Sequence, residues 1–249
     1  MIKTGLDAGY DFKSYSDWQA CSSSDSDYLA ILRHDVDRFP HRALAMAQGE
    51  HALGVTSTYF FRTRPCSFRP AIIREIASLN HEIGYHYEDL SSTRGNFDAA
   101  VESFGVNLQL FDGLFPVRMV AMHGSPLSPH HNLDLWEIAR PEDFGVKDAT
   151  ISFDFSSFVY LTDTGRTFAQ SGSNLRDHIP SLKHGTHSFN GTDSVKRVLA
   201  ERAFGKFVVS CHPERWTNSP LGWSIQLAQD RGVNAVKRAL AYLRPPKAS

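Results

Sequence analysis

Two aspartates separated by one residue, in the run Arg33-His34-Asp35-Val36-Asp37, follow directly on the apolar stretch Tyr28-Leu29-Ala30-Ile31-Leu32. On an extended strand, residues two apart share a face, so Asp35 and Asp37 project together while His34 and Val36 project the other way. Carboxylates that close repel each other unless a proton or a cation lies between them. A divalent metal would relieve the repulsion and leave the second carboxylate as a base. A turn and helix cap for the segment that follows would account for the same pair without any chemistry.

The run His81-Glu82-Ile83-Gly84-Tyr85-His86 suggests the zinc-protease pattern H-E-x-x-H, but its histidines are five residues apart. On a helix that spacing sets them about 140° apart, and Gly84 disfavours the helix. Read as a strand, Glu82, Gly84 and His86 share one face and His81 lies on the other. His86 is then the candidate ligand and His81 is not; a satisfied structural histidine is the plainer account of either. A third run, Lys206-Phe207-Val208-Val209-Ser210-Cys211-His212, ends on a residue type suited to general acid work near neutral pH. Cys211 is a rival nucleophile, though its strand position predicts a buried, unreactive thiol. Polar tips on three separate strands suit a parallel α/β fold, where strand C-termini face the site.

The elements that must position these residues alternate. Strands are expected at 28–33, 56–61, 82–86, 117–122, 158–161 and 207–211. Helices are expected at 42–53, 70–79, 98–111, 134–140 and 194–202, with a long terminal helix at 224–243. The turn His123-Gly124-Ser125-Pro126 ends the fourth strand. With about six to eight strands separated by helices, a barrel or distorted barrel is favoured over an open sheet. One domain is expected over 1–249, with 1–27 as an N-terminal extension and 217–249 as a C-terminal helix packed on the barrel.

Composition sets wider limits. The chain has 249 residues, 41% of them hydrophobic, with 26 basic and 27 acidic side chains. That balance, without a basic run, gives no footprint for nucleic acid or an anionic membrane. Cys21, Cys66 and Cys211 are too scattered for a disulfide framework or a cysteine zinc site. The first residues lack the apolar core of a secretory signal, and no segment approaches the ~20 apolar residues of a membrane span. A soluble, cytoplasmic protein is the expectation.

Taken in order, His-Asp-Val-Asp, then His-Glu-Ile-Gly-Tyr-His, then Cys-His-Pro on a late strand, the chain resembles the polysaccharide deacetylases of carbohydrate esterase family 4, the NodB-homology domain, over residues 28–216. The resemblance implies an α/β fold, a deformed (β/α)7 TIM-like barrel, with a divalent metal, usually zinc, at the strand mouth. It also implies hydrolysis of an acetyl group from a sugar. Asp35 matches the family's base and Asp37 its metal-binding aspartate. His86 matches the first metal histidine and His212 the late histidine that protonates the leaving group.

The chain departs from the family in two places. The second metal histidine should stand four residues after His86, and Leu90 stands there. Glu88 is the nearest substitute ligand, with Asp89 and His34 behind it. In place of the family's third motif the chain has Met122-His123-Gly124-Ser125-Pro126; His123 would contact substrate, orient Asp35 or serve as a ligand. In Tyr160-Leu161-Thr162-Asp163-Thr164-Gly165-Arg166, Asp163 is a candidate to orient a neighbour, and Arg166 is counted with it as a substrate-binding candidate. Trp216 is a candidate apolar wall for a sugar or acyl group, and His184 and His187 are not expected to be ligands. The expected function is a metal-dependent hydrolase removing an acetyl or related acyl group from a nucleotide-linked sugar, a lipid-linked sugar or a glycan in bacterial surface polysaccharide biosynthesis. A hydrolase of non-sugar amides or ureides, or a glycan-binding protein without activity, remains open beside it.

Overall fold

Strand β1 (Asp11–Lys13) and the eight-residue β2 (Leu29–Val36) form the start of one parallel sheet in this computed structural model. The structure describes residues 1–21, 27–164, 168, 189, 191–217, 219–228 and 232. All eight residues of β2 are buried, so His34 and Asp35 lie inside the strand rather than beyond it. The reason is backbone pairing on both edges. On one edge β1 pairs with Leu29–Ile31 and β3 (Thr58–Phe61) with Arg33–Val36; on the other β8 (Lys206–Cys211) pairs with Leu29–His34. Ladder hydrogen bonds do not read side chains, so a polar tail extends a strand that its neighbours already hold.

The sheet continues through β4 (Glu82–Tyr87), β5 (Met119–Met122) and the two-residue β6 (Lys147–Asp148), while β7 (Val159–Thr162) flanks β8. Its order is β6-β5-β4-β3-β2-β8-β7, all parallel, with β1 paired to β2 off that path. Late strand β8 therefore lies beside early strand β2, as barrel closure requires. Between β6 and β7 no ladder is formed among the described residues, and there the barrel is open. This is the deformed barrel that the motifs imply.

Parity along each strand sorts the two faces. Leu29, Ile31, Phe60, Met119, Ala121, Tyr160 and Val208 fill the interior. Gly84 belongs to that face because a methyl group there would collide with the Phe60 ring and stand 2.8 Å from the Met119 carbonyl. Alternate residues such as Val36, Tyr59, Tyr85 and Val120 pack outward under α3 (Pro40–Ala52), α4 (Pro70–Ser78) and α6 (Phe97–Asp112). Leu32, Phe207 and Val209 do the same under α7 (Thr192–Ala200).

The N-terminal extension has secondary structure of its own. It carries α1 (Ile2–Asp7), β1 and α2 (Tyr15–Ala20), with the Ser14 hydroxyl accepting the Asp17 amide as N-cap. The helix expected at 134–140 is instead a 3-10 turn at Asn132–Glu137. Residues 220–228 are helical, and the rest of the expected terminal helix lies outside the described residues. Among the described residues no helix is long and apolar enough to cross a membrane.

Candidate functional site

The interior parity of β2, β4, β5 and β8, carried past their C-terminal ends, delivers Asp35, Asp37, His86, Glu88, His123 and His212 to one mouth. The turn out of β2 is sharp: Phe39 takes a left-handed φ of 54° immediately before Pro40 opens α3. The Ser67 hydroxyl donates to the Val36 carbonyl (2.5 Å) and accepts the Arg62 amide (3.1 Å), binding the tips of β2 and β3 together. On β5, the His123 amide donates to the Tyr87 carbonyl at 2.7 Å, which continues the ladder with β4 by one residue.

Asp35 is 3% exposed and bound by both arms of one guanidinium, Arg33 Nε to Oδ1 at 2.8 Å and Nη2 to Oδ2 at 2.9 Å. Burial opposes its ionisation, but Arg33, together with His86 and His212, more than offsets burial and holds the carboxyl below the usual range. Arg33 is the partner that sequence reading missed, although residues two apart on a strand share a face.

Asp37 is the least satisfied group of the set. Its Oδ1 is buried without a hydrogen-bond partner. His86 Nε2 and His123 Nε2 each lie 3.6 Å from that oxygen, too far for a hydrogen bond. His86 turns its other nitrogen, Nδ1, to the Ala121 carbonyl at 2.9 Å. His123 turns Nδ1 toward Ser125 Oγ at 3.0 Å and Glu88 Oε2 at 3.3 Å. Both rings therefore donate outward and present Nε2 toward one unpartnered carboxylate oxygen, the arrangement of imidazoles that bind a metal. Two ligands about 2.1 Å from a tetrahedral ion stand about 3.4 Å apart, close to the spacing found. Among the described residues no group of three or more His, Cys, Asp or Glu side chains could hold a metal ion as they stand. Burial pushes His86 down to about 4, leaving it neutral. Burial also works against protonated His123, but Asp37 and Glu88 outweigh it and raise that imidazole.

Glu88, expected as the third ligand, has both oxygens engaged by arginines. Arg62 Nη2 reaches its Oε2 at 2.6 Å and Arg64 Nε its Oε1 at 2.5 Å. Burial disfavours the carboxylate, but His123 and the two arginines more than offset it and hold Glu88 well below the usual range. Of the runners-up, Asp89 accepts hydrogen bonds from Tyr85, Ser103 and Asn107, and His34 faces outward to Glu50. Leu90 is buried in the outer core.

Across the mouth, His212 Nδ1 meets Asp163 Oδ1 at 2.6 Å, and its backbone amide donates to Asp163 Oδ2 at 3.0 Å. Burial and Arg215 both work against protonation of His212, yet Asp163 and Asp37 together more than offset them and lift it to about 9. Asp163 is 4% exposed and also accepts Arg215 Nη1 at 2.8 Å and Trp216 Nε1 at 2.8 Å. It thus supports His212, and Trp216, partly exposed, braces it through the indole nitrogen. Cys211 is buried, which pushes its thiol up and rules against a nucleophilic thiolate. Arg166, His184 and His187 lie outside the described residues. A cavity of about 320 Å³ adjoins the mouth, with Arg64, Glu88, Ser92, His123, Ser125 and Leu127 among its walls.

No protein-family model matches the chain, and no curated protein does. Solved structures match it at low identity. One is a family 4 carbohydrate esterase from Streptomyces lividans in complex with acetate, with a TM-score of 0.46 and 13% identity over 85% of this chain and 91% of that one. Another is a mutant of BA3943, a CE4 family pseudoenzyme, with a TM-score of 0.46 and 15% identity over 86% of this chain; this chain spans 64% of its length. A CE4 esterase from Streptococcus mutans has a TM-score of 0.42 and 12% identity, over 81% of this chain and 92% of that one.

Proposed function

We propose that this chain is a divalent-metal-dependent hydrolase that removes an acetyl or related acyl group from an amino sugar or glycan precursor. One observation carries the reading: His86 and His123 each present Nε2 at 3.6 Å to the same Asp37 oxygen, which is buried and has no hydrogen-bond partner. The motif order at Asp35, Asp37, His86 and His212 supports the choice of an acylated sugar as substrate.

Asp37, His86 and His123 would hold the cation, and His123 would release its proton on binding. The bound ion would supply a Lewis acid for the acyl carbonyl and acidify the attacking water. Asp35 then takes the water's proton. Arg33 occupies one lone pair on each Asp35 oxygen and weakens the base, which suits a water that is already acidic. His212 is protonated at neutral pH and commits Nδ1 to Asp163, so Nε2 delivers the proton to the departing nitrogen or oxygen. Hydrolysis of an acetamide in this way yields acetate and a free amine.

The test is metal content of protein purified without chelator, together with acetate release from N-acetylated amino sugars. About one zinc or similar ion per chain is expected, lost in His86→Ala and in His123→Ala, with activity abolished by Asp35→Asn. Wild-type protein that takes up no zinc after zinc is added back would defeat the proposal and favour a metal-free amide hydrolase or a glycan binder.

A further inference from the structure

Glu88 is a buried carboxylate that the reaction does not use, yet three side chains converge on it. Arg62 and Arg64 each take one of its oxygens, at 2.6 and 2.5 Å, and Oε2 lies 3.3 Å from His123 Nδ1. The register of β4 and β5 pairs His86 with Ala121 and Tyr87 with Met122, which sets Glu88 beside His123 one step further along. We propose that Glu88, clamped by Arg62 and Arg64, is a positioning residue that fixes the ring of His123 for metal binding. This inference rests on the metal reading above.

Three physical features support the assignment. An imidazole binds a cation through one nitrogen and is oriented by what the other nitrogen donates to. A carboxylate in that outer position both fixes the tautomer and raises the basicity of the ligand. Ser125 Oγ, at 3.0 Å from the same Nδ1, can orient the ring but brings no charge. The two guanidiniums have a further effect. A free glutamate at the edge of an acidic and histidine-lined site would compete to become a ligand itself. With both oxygens engaged, Glu88 cannot swing inward, and its contribution passes through His123. Arg64 also donates to Ser92 Oγ at 2.8 Å, so the clamp is anchored to the start of the segment after β4. The family's histidine position, filled here by buried Leu90, therefore has its counterpart on β5, with Glu88 as its support.

The experiment is a double-mutant cycle on zinc affinity, read by competition with weak chromophoric chelators so that loose sites stay in range. Wild type, Glu88→Gln, His123→Ala and the double variant are compared, with Arg64→Gln as a variant at a half-exposed side chain. Glu88→Gln is expected to raise the zinc Kd about 10- to 100-fold. In the His123→Ala background it is expected to change Kd less than about two-fold, because coupled residues are not additive. Arg64→Gln should give a smaller rise that is likewise silent without His123, and it keeps the cycle available should Glu88→Gln misfold. An unchanged Kd in Glu88→Gln, or an equal change with and without His123, would overturn the positioning role while wild-type zinc binding leaves the metal reading standing. Failure of the wild type to bind zinc would overturn the metal reading itself.

Discussion

Glu50 with His34 and His81, on the outer face of β2, and Asp37 with His86 and His123, at its inner tip, use the same side-chain types to opposite ends. Glu50 accepts from His34 Nε2 at 2.8 Å, Ser57 Oγ at 2.7 Å and Tyr59 OH at 2.9 Å. His81 joins the network through Ser57 Oγ at 2.9 Å and the Ala47 carbonyl at 3.0 Å. Each Glu50 oxygen is engaged, and none of these side chains reaches the solvent to more than 5%. Asp37 has the same kinds of neighbour but keeps one oxygen unpartnered, with both imidazole Nε2 atoms 3.6 Å away. Histidines and carboxylates in proximity therefore do not make a site. What distinguishes the two clusters is whether neighbouring hydroxyls have used up the lone pairs.

The comparison breaks most sharply under Glu50→Ala. His34, Ser57 and Tyr59 would lose a buried charged acceptor together, and a loss of about 3–5 kcal/mol is expected. Urea unfolding in the presence of chelator measures it, and the zinc affinity of the folded fraction should stay within about two-fold of wild type because the clusters share no partner. A small loss of stability, or a collapse of zinc affinity, would show that the outer network is part of the functional site.

Zinc addition tests the inner cluster from the other direction. At a free concentration of about 100 times Kd, a ligand that binds only the folded chain adds about 2.7 kcal/mol. That increment should appear in wild type and vanish in His86→Ala, each compared with its own chelated form, because the buried His86 ring also packs and bonds the Ala121 carbonyl. A zinc increment of the same size in His86→Ala would place His86 with the structural histidines instead.

Glu214 sharpens the contrast with a third carboxyl, 1% exposed and with Oε2 unpartnered. Burial, and then the nearby Asp37 charge, raise it to about 7. The folded state thus holds a proton that the unfolded chain gives up near its ordinary value of 4.5. The contribution to stability is complete below that value and is lost as pH rises from it through 7. In chelator, wild type should lose roughly 2 kcal/mol more than Glu214→Gln across this interval. Parallel pH profiles for the two proteins would refute the raised value.

Much of this was legible along the chain, for local reasons. Alternation of apolar runs with helical spacing announces parallel βαβ units, and strand parity places Asp35 with Asp37 and sets His86 apart from His81. The same parity left Arg33 beside Asp35 in plain view. The third member of the proposed set was only half legible: the sequence offers His123 as a ligand among other roles and favours Glu88 for its proximity to Leu90, whereas His123 reaches the site because β5 lies in register against β4. Nor could the sequence show that Trp216 and Arg215 close around Asp163, or that three residues at 11–13 would pair with the first strand of the barrel.

The sequence by itself determined which face of each strand a side chain occupies, because the pleat has a period of two and needs no neighbour to enforce it. Only the tertiary structure decided which polar atoms remain free. Hydrogen-bonding capacity is consumed by partners distant along the chain, as Arg62 and Arg64 do for Glu88 and as Ser57 and Tyr59 do for Glu50, and the Asp37 oxygen that no partner reached is where the chemistry is proposed to lie.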